Sequence, residues 1–426
     1  MSSHTSHGEK PASPFRQPKA VWAVAFACVV SFMGIGLVDP ILKTLAGQLH
    51  ATPSQVELLF TSYLVVTAVA MLITGWVSSR IGAKWTLIAG LILIVAFAAA
   101  AGSTNSIAGI VGFRAGWGLG NALFIATSLA VIVASASGGF AGAIVLYESA
   151  LGIGIALGPL IGGVLGNISW RGPFYGVSVL MFIALIATIF FLPKTARPAH
   201  KQRLSEPLAA LKHRSLRMTS IVGLLYNWAF FTLLGYSPFL MGITSPILLG
   251  AVFCGWGILV AIFAVWGAPF LQRRFGTPKT LYVNFAVMAL DLAVIAIFYT
   301  QPIVVIVCVI LAGAMIGVNN TLVTTAVMSI APVERPVASA TYGFVRFIGG
   351  GLAPFVAGLL VTAFNPMVPF FLGAATLVAA AIVLTRVHKA LDAADRGEIA
   401  QPVTSALDQV ENDNPLAGAA GIGNAD

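Results

Sequence analysis

The sequence contains twelve long apolar runs between about residues 20 and 386. A helix needs about 20 apolar residues to span the hydrocarbon core of a bilayer, whereas the strands of a membrane β-barrel are shorter and alternate apolar with polar residues. Only 9% of the residues are charged, against about 25% in an average soluble domain. These features predict an all-α membrane protein with twelve transmembrane helices, the first near residues 20–42.

One strongly basic stretch, residues 194–217, divides the apolar runs into two groups of six. Sequence marks recur across it: Gly276 follows Gly82 by 194 residues, and Pro354 follows Pro159 by 195. Such repeats are typical of transporters built by duplication, so we expect two pseudo-symmetric six-helix bundles. The predicted segments are a tail at 1–19, a first bundle at 20–193, a linker at 194–217, a second bundle at 218–386 and a disordered tail at 387–426.

The distribution of basic residues predicts how the chain lies in the membrane. Of the 23 Lys and Arg residues, 19 fall in the tails and in the loops on the side of the tails, and only Lys43 and Arg171 lie in the opposite loops. Positively charged loops stay in the cytoplasm. We therefore expect a multi-pass protein of the bacterial cytoplasmic (inner) membrane with both termini in the cytoplasm. This orientation explains the net charge of +9, so no nucleic-acid partner is expected.

Several functional classes are excluded by what the sequence lacks. The three cysteines all lie in apolar runs and predict no disulfide, and the six histidines show no metal-ligand spacing. A nucleotide-binding loop is absent, so ATP is not expected as the energy source. An enzyme would need a nucleophile with a base, or a metal cluster, and a channel would need a charged ring or a repeated filter loop. None of these patterns is present, which favours a transporter without a cofactor.

Ionisable residues inside the apolar runs are candidates for function. Those that stand out are the acids Asp39, Glu148 and Asp291 and the bases Arg114 and Arg346. A charge that faces lipid is costly, so each is expected to have a partner or to line a watered cavity. For Glu148 we favour a functional role and for Asp291 a structural one. For Asp39, a proton-carrying role and a local cap at the end of its span are alternatives.

Four motifs in chain order resemble those of the major facilitator superfamily, and more narrowly of its twelve-helix drug:proton antiporters. The resemblance covers roughly residues 20–386. It rests on a signature loop, its weaker second copy, an arginine motif, an antiporter motif and an acidic motif, found at Gly75–Lys84, Gln272–Gly276, Phe113–Gly120, Gly154–Gly163 and Gly34–Pro40 respectively.

The signature loop departs from the family pattern at Ser79, where the family has an aspartate that helps to latch the cytoplasmic ends of the two halves. We hypothesise that Glu334, at the start of the eleventh span, pairs instead with Arg80 or Lys84 and favours the positive N-terminus of its helix. The alternative is a solvated loop acid that contributes less than about 1 kcal/mol. The other residues of these conformational motifs are Gly75, Gly82 and Arg274.

The antiporter motif predicts where helices bend and pack. Pro159 has no backbone N–H and should bend the fifth helix, while Gly158 and Gly162 let another helix approach closely. We expect this packed face to contact the other half of the protein. Pro354 holds the related place in the eleventh span, so both bends should lie toward the outer side.

The resemblance implies a secondary active transporter that exports small amphipathic molecules or drugs in exchange for protons by alternating access. The proton gradient is then the energy source, and Asp39, Glu148 and Arg114 are the expected proton-coupling residues. Alternatives are export of a dedicated metabolite or siderophore, and uptake by a permease. The expected partners are protons, a small-molecule substrate and the lipid bilayer, with the protein acting as a monomer. The expected substrate cavity is lined by Asn121, Phe124, Tyr147, Tyr226, Asn227, Trp228, Asn319, Asn320, Thr324, Tyr342 and Arg346.

Overall fold

A computed structural model describes residues 17–135, 139–193 and 201–398, and within these ranges the chain forms helices and no strands. Twelve of these helices are long. In chain order they are α1 Lys19–Gly36, α2 Pro53–Ile81, α3 Ala83–Ser103, α4 Ile107–Ser135, α5 Gly139–Ile168, α6 Gly172–Phe191, α7 Arg214–Leu240, α8 Pro246–Phe275, α9 Thr277–Ile297, α10 Pro302–Ile330, α11 Arg335–Ala363 and α12 Met367–Leu384.

The long helices have the length and composition of membrane spans. Among the described residues, ten are long and apolar enough to cross a bilayer, and the other two, α1 and α4, are helical over 18 and 29 residues. Large apolar side chains cover the surface, such as Phe190 and Ile303, which are 78% and 77% exposed. Lipid accommodates such a surface, whereas water does not. The all-α membrane fold is therefore confirmed.

Local sequence signals fix several helix ends. α2 begins with a capping box, in which the side chains of Thr52 and Gln55 each accept a hydrogen bond from the other's backbone N–H. α2 and α8 end at Gly82 and Gly276, whose φ angles of 87° and 80° lie in a region that glycine adopts far more readily than other residues. The two halves thus terminate corresponding helices in the same way.

The first apolar run is not one continuous helix. α1 ends at Gly36, and a 3-10 turn, Asp39–Ile41, and a short helix, Leu42–Gln48, follow it. Pro40 lies at the break and has no N–H with which to continue the hydrogen-bond pattern of α1. The span expected near 20–42 is therefore shorter than predicted.

Two segments outside the spans contain helices that the sequence analysis did not expect. In the linker, a short helix at Glu206–Ala210 precedes α7, which begins at Arg214 rather than at 218. Beyond α12, a helix at His388–Asp395 buries Leu391. The prediction of disorder from residue 387 was therefore wrong for this helix, because its polar composition conceals one apolar side chain that packs against the bundle.

The two six-helix halves meet along two pairs of helices, α2 with α11 and α5 with α8. Because successive long helices run in opposite directions, the short helix Leu42–Gln48 and the loop 241–245 lie on the side opposite the termini. We call this the distal side, and we call the other, which carries the linker and the helix His388–Asp395, the termini side.

The halves touch directly on the distal side. A Cβ atom built on Gly163 of α5 would lie only 2.5 Å from the carbonyl oxygen of Pro246 on α8. Nearby, Nζ of Lys43 in the first half donates a hydrogen bond to the carbonyl oxygen of Ile243 in the second half, at 3.1 Å. Burial at this contact lowers the pKa of Lys43. The structure is therefore closed on the distal side.

Candidate functional site

A group of polar side chains in the second half is centred on Arg346 of α11. Its Nε donates to Oδ1 of Asn227 on α7 at 3.2 Å, and its Nη2 donates to Oδ1 of Asn320 on α10 at 2.9 Å. The hydroxyl of Tyr226 donates to the same oxygen of Asn320. Three helices thus converge on one guanidinium, and four of the residues expected in the cavity come together.

Aromatic rings complete this site. The guanidinium carbon of Arg346 lies 5.9 Å from the ring centroid of Tyr226, 5.7 Å from that of Tyr342 and 5.4 Å from that of Phe347. We call Tyr226, Asn227, Asn320, Tyr342 and Arg346 the Arg346 cluster. It combines ring faces, amide groups and a half-buried guanidinium. These are the features with which a pocket binds a flat molecule that carries hydrogen-bond acceptors.

Asn319 is not part of this cluster, although it was expected in the cavity. Its Oδ1 accepts a hydrogen bond from Nδ2 of Asn284 on α9 at 2.8 Å, and its Nδ2 lies 3.5 Å from the sulfur of Met288. Consecutive residues of a helix point about 100° apart, since a turn takes about 3.6 residues, so Asn319 and Asn320 serve different neighbours. Trp228 and Thr324 are half-buried on α7 and α10 and make no hydrogen bond with the cluster within the described residues.

Arg114 lies inside the first half and is fully buried. Its guanidinium is stacked between the rings of Tyr63 and Trp117, with centroid distances of 4.4 and 4.7 Å. It also donates to the backbone oxygens of Gly34 on α1 and Leu59 on α2, both at 3.4 Å. These contacts tie α4 to α1 and α2.

The remaining cavity candidates of the first half lie within their own bundle. Oδ1 of Asn121 accepts a hydrogen bond from the hydroxyl of Ser31 on α1 at 2.5 Å. Phe124 is buried in the core of the bundle. Tyr147 packs edge-on against Phe32, with 5.8 Å between the ring centroids. These three side chains therefore hold α4 and α5 to their neighbours, and the structure does not bring them to the Arg346 cluster.

The acids favoured for proton coupling cannot be placed at the level of side chains. Asp39 lies in the 3-10 turn after α1 and Glu148 in α5, but both side chains lie outside the described part of the structure. Their roles stay predictions. Asp291 of α9 contacts Cys308 of α10, in keeping with the structural role that we favoured.

The signature loop on the termini side is held without an acid of its own. Ser79 is buried and donates to the carbonyl oxygen of Trp76 at 3.0 Å. Arg80 stacks on the Trp76 ring at 4.1 Å and reaches the carbonyl oxygen of Gln202 in the linker at 3.4 Å. The Gln202 side chain fills the space beside Gly75. Lys84 donates to the last carbonyl oxygens of α6.

The second copy of the signature loop receives an acid from elsewhere in the chain. Asp395, in the helix after α12, accepts hydrogen bonds from the backbone N–H and hydroxyl of Thr277, at 2.6 and 2.7 Å. A carboxylate at this place also favours the positive N-terminus of α9. Arg274 of this loop stacks on Phe275 at 5.7 Å. The second loop is thus clasped by the C-terminal helix.

Glu334 lies where the sequence analysis expected it, at the N-cap position of α11, but its side chain is exposed and makes no capping hydrogen bond. Among the described residues no ion pair joins it to Arg80 or Lys84. In this closed arrangement the linker takes the place that the hypothesis gave to Glu334, because Gln202 contacts Arg80.

The antiporter motif packs against a different partner from the one we predicted. A Cβ atom built on Gly158 would lie 2.6 Å from the carbonyl oxygen of Met33, and Gly162 approaches Leu37 in the same way. Both contacts are with α1 of the same half, so the expectation that this face meets the other half was wrong. The adjacent face, with Pro159 and Gly163, contacts α8 instead, because glycines four residues apart line only one side of a helix.

Pro354 of α11 also packs inside its own half. The Cβ atom of Pro354 lies 3.0 Å from the position that a Cβ on Gly235 of α7 would occupy. α11 therefore approaches α7 as α5 approaches α1, which is the relation expected of a duplicated pair of helices.

The sequence analysis missed one acid, Glu57 of α2. Its side chain is 0% exposed and lies at the distal end of the boundary between the halves, beside Gly235 and Pro354. Its signal was present in the sequence, since Glu57 follows the capping box of Thr52 and Gln55 and falls at the start of an apolar run.

The comparisons with known proteins agree with this architecture. A model described as Major Facilitator Superfamily matches residues 24–354 and 244–423. Multidrug efflux protein YfmO of Bacillus subtilis is 55% identical over 375 residues, which is 88% of this chain and 94% of that protein. Quinolone resistance protein NorA of Staphylococcus aureus is 26% identical over 353 residues, 80% of this chain and 90% of that one.

Solved structures show the same fold at low sequence identity. The human organic anion transporter MFSD10 (TETRAN) superposes with a TM-score of 0.66 at 17% identity, covering 86% of this chain and 99% of that one. A bacterial homologue of the lysosomal transporter Spinster, in an inward-facing and unoccupied conformation, gives 0.65 at 15% identity, covering 88% and 96%. With the family match and the relative from Bacillus subtilis, these similarities show that the chain belongs to the major facilitator superfamily.

Proposed function

We propose that this protein is a secondary active transporter that exports small amphipathic molecules in exchange for protons. The observation that carries the proposal is the relative from Bacillus subtilis, which is named a multidrug efflux protein and is 55% identical over 94% of its length. A shared direction of transport and a shared substrate class are the simplest account of such similarity. The relative named for quinolone resistance supports the same substrate class.

Alternating access is supported by the way the halves meet. α2 with α11 and α5 with α8 form two long seams, along which one half can rock against the other. The distal side is closed by the contacts of Lys43 and Gly163, so the substrate path opens toward the termini. With the termini in the cytoplasm, this is the state that receives the substrate, and opening of the distal side releases it outside.

We assign substrate binding to the Arg346 cluster. It lies where α7, α10 and α11 of the second half converge, and its half-buried guanidinium is held by Asn227 and Asn320. The rings of Tyr226 and Tyr342 offer apolar faces to a flat substrate, and the amides and the guanidinium fix its orientation. Proton coupling is assigned to Asp39 and Glu148, with Arg114 as the residue that holds α4 in place.

The proposal is tested in inside-out membrane vesicles that contain this protein as the only overexpressed transporter. The lumen is acidified, and a cationic amphipathic dye, a fluoroquinolone and a hydroxamate siderophore are offered separately from outside. We expect the dye and the fluoroquinolone to accumulate in the lumen, and an ionophore that dissipates the pH gradient to abolish this accumulation. Vesicles without the protein are the control.

Other outcomes are equally informative. Accumulation of the siderophore alone would indicate a dedicated exporter. Accumulation that continues after the ionophore is added would overturn proton coupling. Movement of a substrate out of the lumen along with protons would indicate an uptake permease and would reject the proposal.

A further inference from the structure

Glu57 is a titratable group that the mechanism above does not use. It lies five residues after the N-cap Thr52 on α2, at the distal end of the chain's first half, and its side chain is fully buried. The acids to which proton coupling is assigned, Asp39 and Glu148, belong to other elements. A buried carboxyl at this depth requires an explanation, because an ionised acid in an apolar setting is costly.

The groups that cover Glu57 come from the other half of the protein. A Cβ atom built on Gly235 of α7 would lie 2.7 Å from Oε2 of Glu57 and 3.0 Å from Cβ of Pro354 on α11. The carboxyl therefore occupies the space that the missing side chain of Gly235 leaves open. When the halves part on the distal side, α7 and α11 move away from α2, and the carboxyl is exposed to the distal solution.

Several titratable groups are carried by the elements around Glu57. Tyr236 of α7 is close enough to interact electrostatically with it. On α4, Arg114 donates to the carbonyl oxygen of Leu59. Lys43 of the short distal helix donates to Ile243, and His50 lies in the loop before α2. α11 contributes the apolar ring of Pro354. The side chain of Asp39 lies outside the described residues.

We propose that Glu57 is a proton-controlled gate on the distal side. The carboxylate binds a proton from the distal solution as the halves close over it, and it returns that proton to the same solution when they part. Closure is then favoured at low distal pH, since the neutral acid is buried more easily than its anion. The gate rests on the alternating-access part of the proposed function. Its proton does not cross the membrane, so Glu57 is a positioning residue and differs from the proton-coupling acids.

The structure offers a direct reporter of distal closure. A Cβ atom built on Gly358 of α11 would lie 3.5 Å from Cβ of Ser54 on α2. This matches the separation of about 3.5–4.5 Å between the Cβ atoms of a disulfide. The variant S54C/G358C should therefore form a disulfide in the closed state and not in the open one. The single variants S54C and G358C are controls for the native cysteines.

The experiment measures the initial rate of disulfide formation in proteoliposomes as the pH on the distal side is lowered. The same measurement in S54C/G358C/E57Q corrects for the ionisation of the thiols, which is common to both proteins. We expect the ratio of the rate in S54C/G358C to the rate in S54C/G358C/E57Q to rise with falling pH, by up to about tenfold per pH unit, because one proton is taken up. The E57Q variant itself should stay closed at every pH.

Two further variants keep the test sharp. H50Q removes the imidazole of the adjacent loop and should leave the pH dependence intact. E57D retains a carboxyl and should retain the pH dependence, which gives a second measurement should E57Q fail to fold. A ratio that does not change with pH, or an unchanged pH dependence in E57Q, overturns the gate.

Substrate transport in the same proteoliposomes separates this proposal from the proposed function. Proton-driven export together with a pH-independent ratio would overturn the gate and leave the exporter standing. A pH-dependent ratio without proton-driven export would overturn the exporter and leave the gate.

Discussion

Gly163→Ala and Gly158→Ala should have opposite consequences although the two glycines lie close together on α5. The new methyl at residue 163 would meet the carbonyl oxygen of Pro246 in the other half at 2.5 Å, whereas at residue 158 it would meet that of Met33 in the same half at 2.6 Å. Each contact must lengthen by roughly 1 Å to reach the ~3.5 Å at which non-bonded atoms attract one another. The clash is therefore similar, and only the partner differs.

The cost of such overpacking is typically about 1–3 kcal/mol. In Gly163→Ala it falls on the distal-closed state alone, because opening separates α5 from α8, so the ratio of closed to open protein should fall by roughly 5- to 150-fold. In Gly158→Ala the clash is present in both states, because α1 and α5 move together. That variant should have a lower melting temperature and an unchanged ratio.

The initial rate of S54C/G358C disulfide formation measures this ratio on the other seam, α2 with α11, which neither substitution touches. We expect a slower rate in Gly163→Ala and the starting rate in Gly158→Ala, with thermal unfolding recorded for both. Equal rates in the two variants would refute the assignment of the two faces of α5. A slower rate in Gly158→Ala alone would restore the original expectation that the antiporter motif faces the other half.

Three further predictions follow from the described contacts. Asn320→Ala removes the acceptor shared by Arg346 and Tyr226, and since a hydrogen bond to a charged group contributes about 1.5–3 kcal/mol, substrate transport should fall by at least about tenfold; Asn319→Ala is the matched control, which should lower the melting temperature but leave the KM for transport unchanged. Gly82→Ala and Gly276→Ala should each destabilise the protein by about 1–2 kcal/mol, because both place a side chain at positive φ, and unequal losses in thermal unfolding would argue against equivalent roles in the two halves. Asp395→Asn weakens the clasp on Thr277, so hydrogen exchange in His388–Asp395 should accelerate while exchange in α12 does not change; the same exchange rate in this helix with and without the substitution would mean that the clasp does not hold it.

The fold could be predicted from the sequence because long apolar runs have few alternatives in a bilayer. A backbone without water must satisfy its hydrogen bonds internally, which leaves helices as the solution for runs of this length. Turn and cap signals added detail: Gly82 and Gly276 mark two helix ends, and Thr52 with Gln55 marks a helix start.

The direction in which each side chain points was harder to predict. Helices that are apolar on every face give no periodicity from which a buried side can be identified. For this reason the sequence could not separate Asn320, which binds Arg346, from Asn319, which binds Asn284. The same lack of phase led us to assign Gly158 to the wrong neighbour.

Contacts between distant segments were also beyond the sequence. Glu57 resembles an acid near the start of a helix, a common place for one, and only the closing of α7 and α11 over it makes it unusual. Asp395 lies in a polar segment typical of disorder, and its value depends on Thr277, 118 residues away. Such pairings follow from the assembled bundle.

The central claim is exchange of substrate for protons, and the most direct test measures proton movement with no gradient imposed beforehand. Proteoliposomes are loaded with the substrate and a pH-sensitive dye, then diluted into substrate-free buffer at the same pH. Export down the substrate gradient should acidify the lumen, because each departing molecule is exchanged for entering protons, and Glu148→Gln should release substrate without this acidification. Substrate efflux at constant luminal pH, or with an alkaline shift, in the unmodified protein would contradict the account.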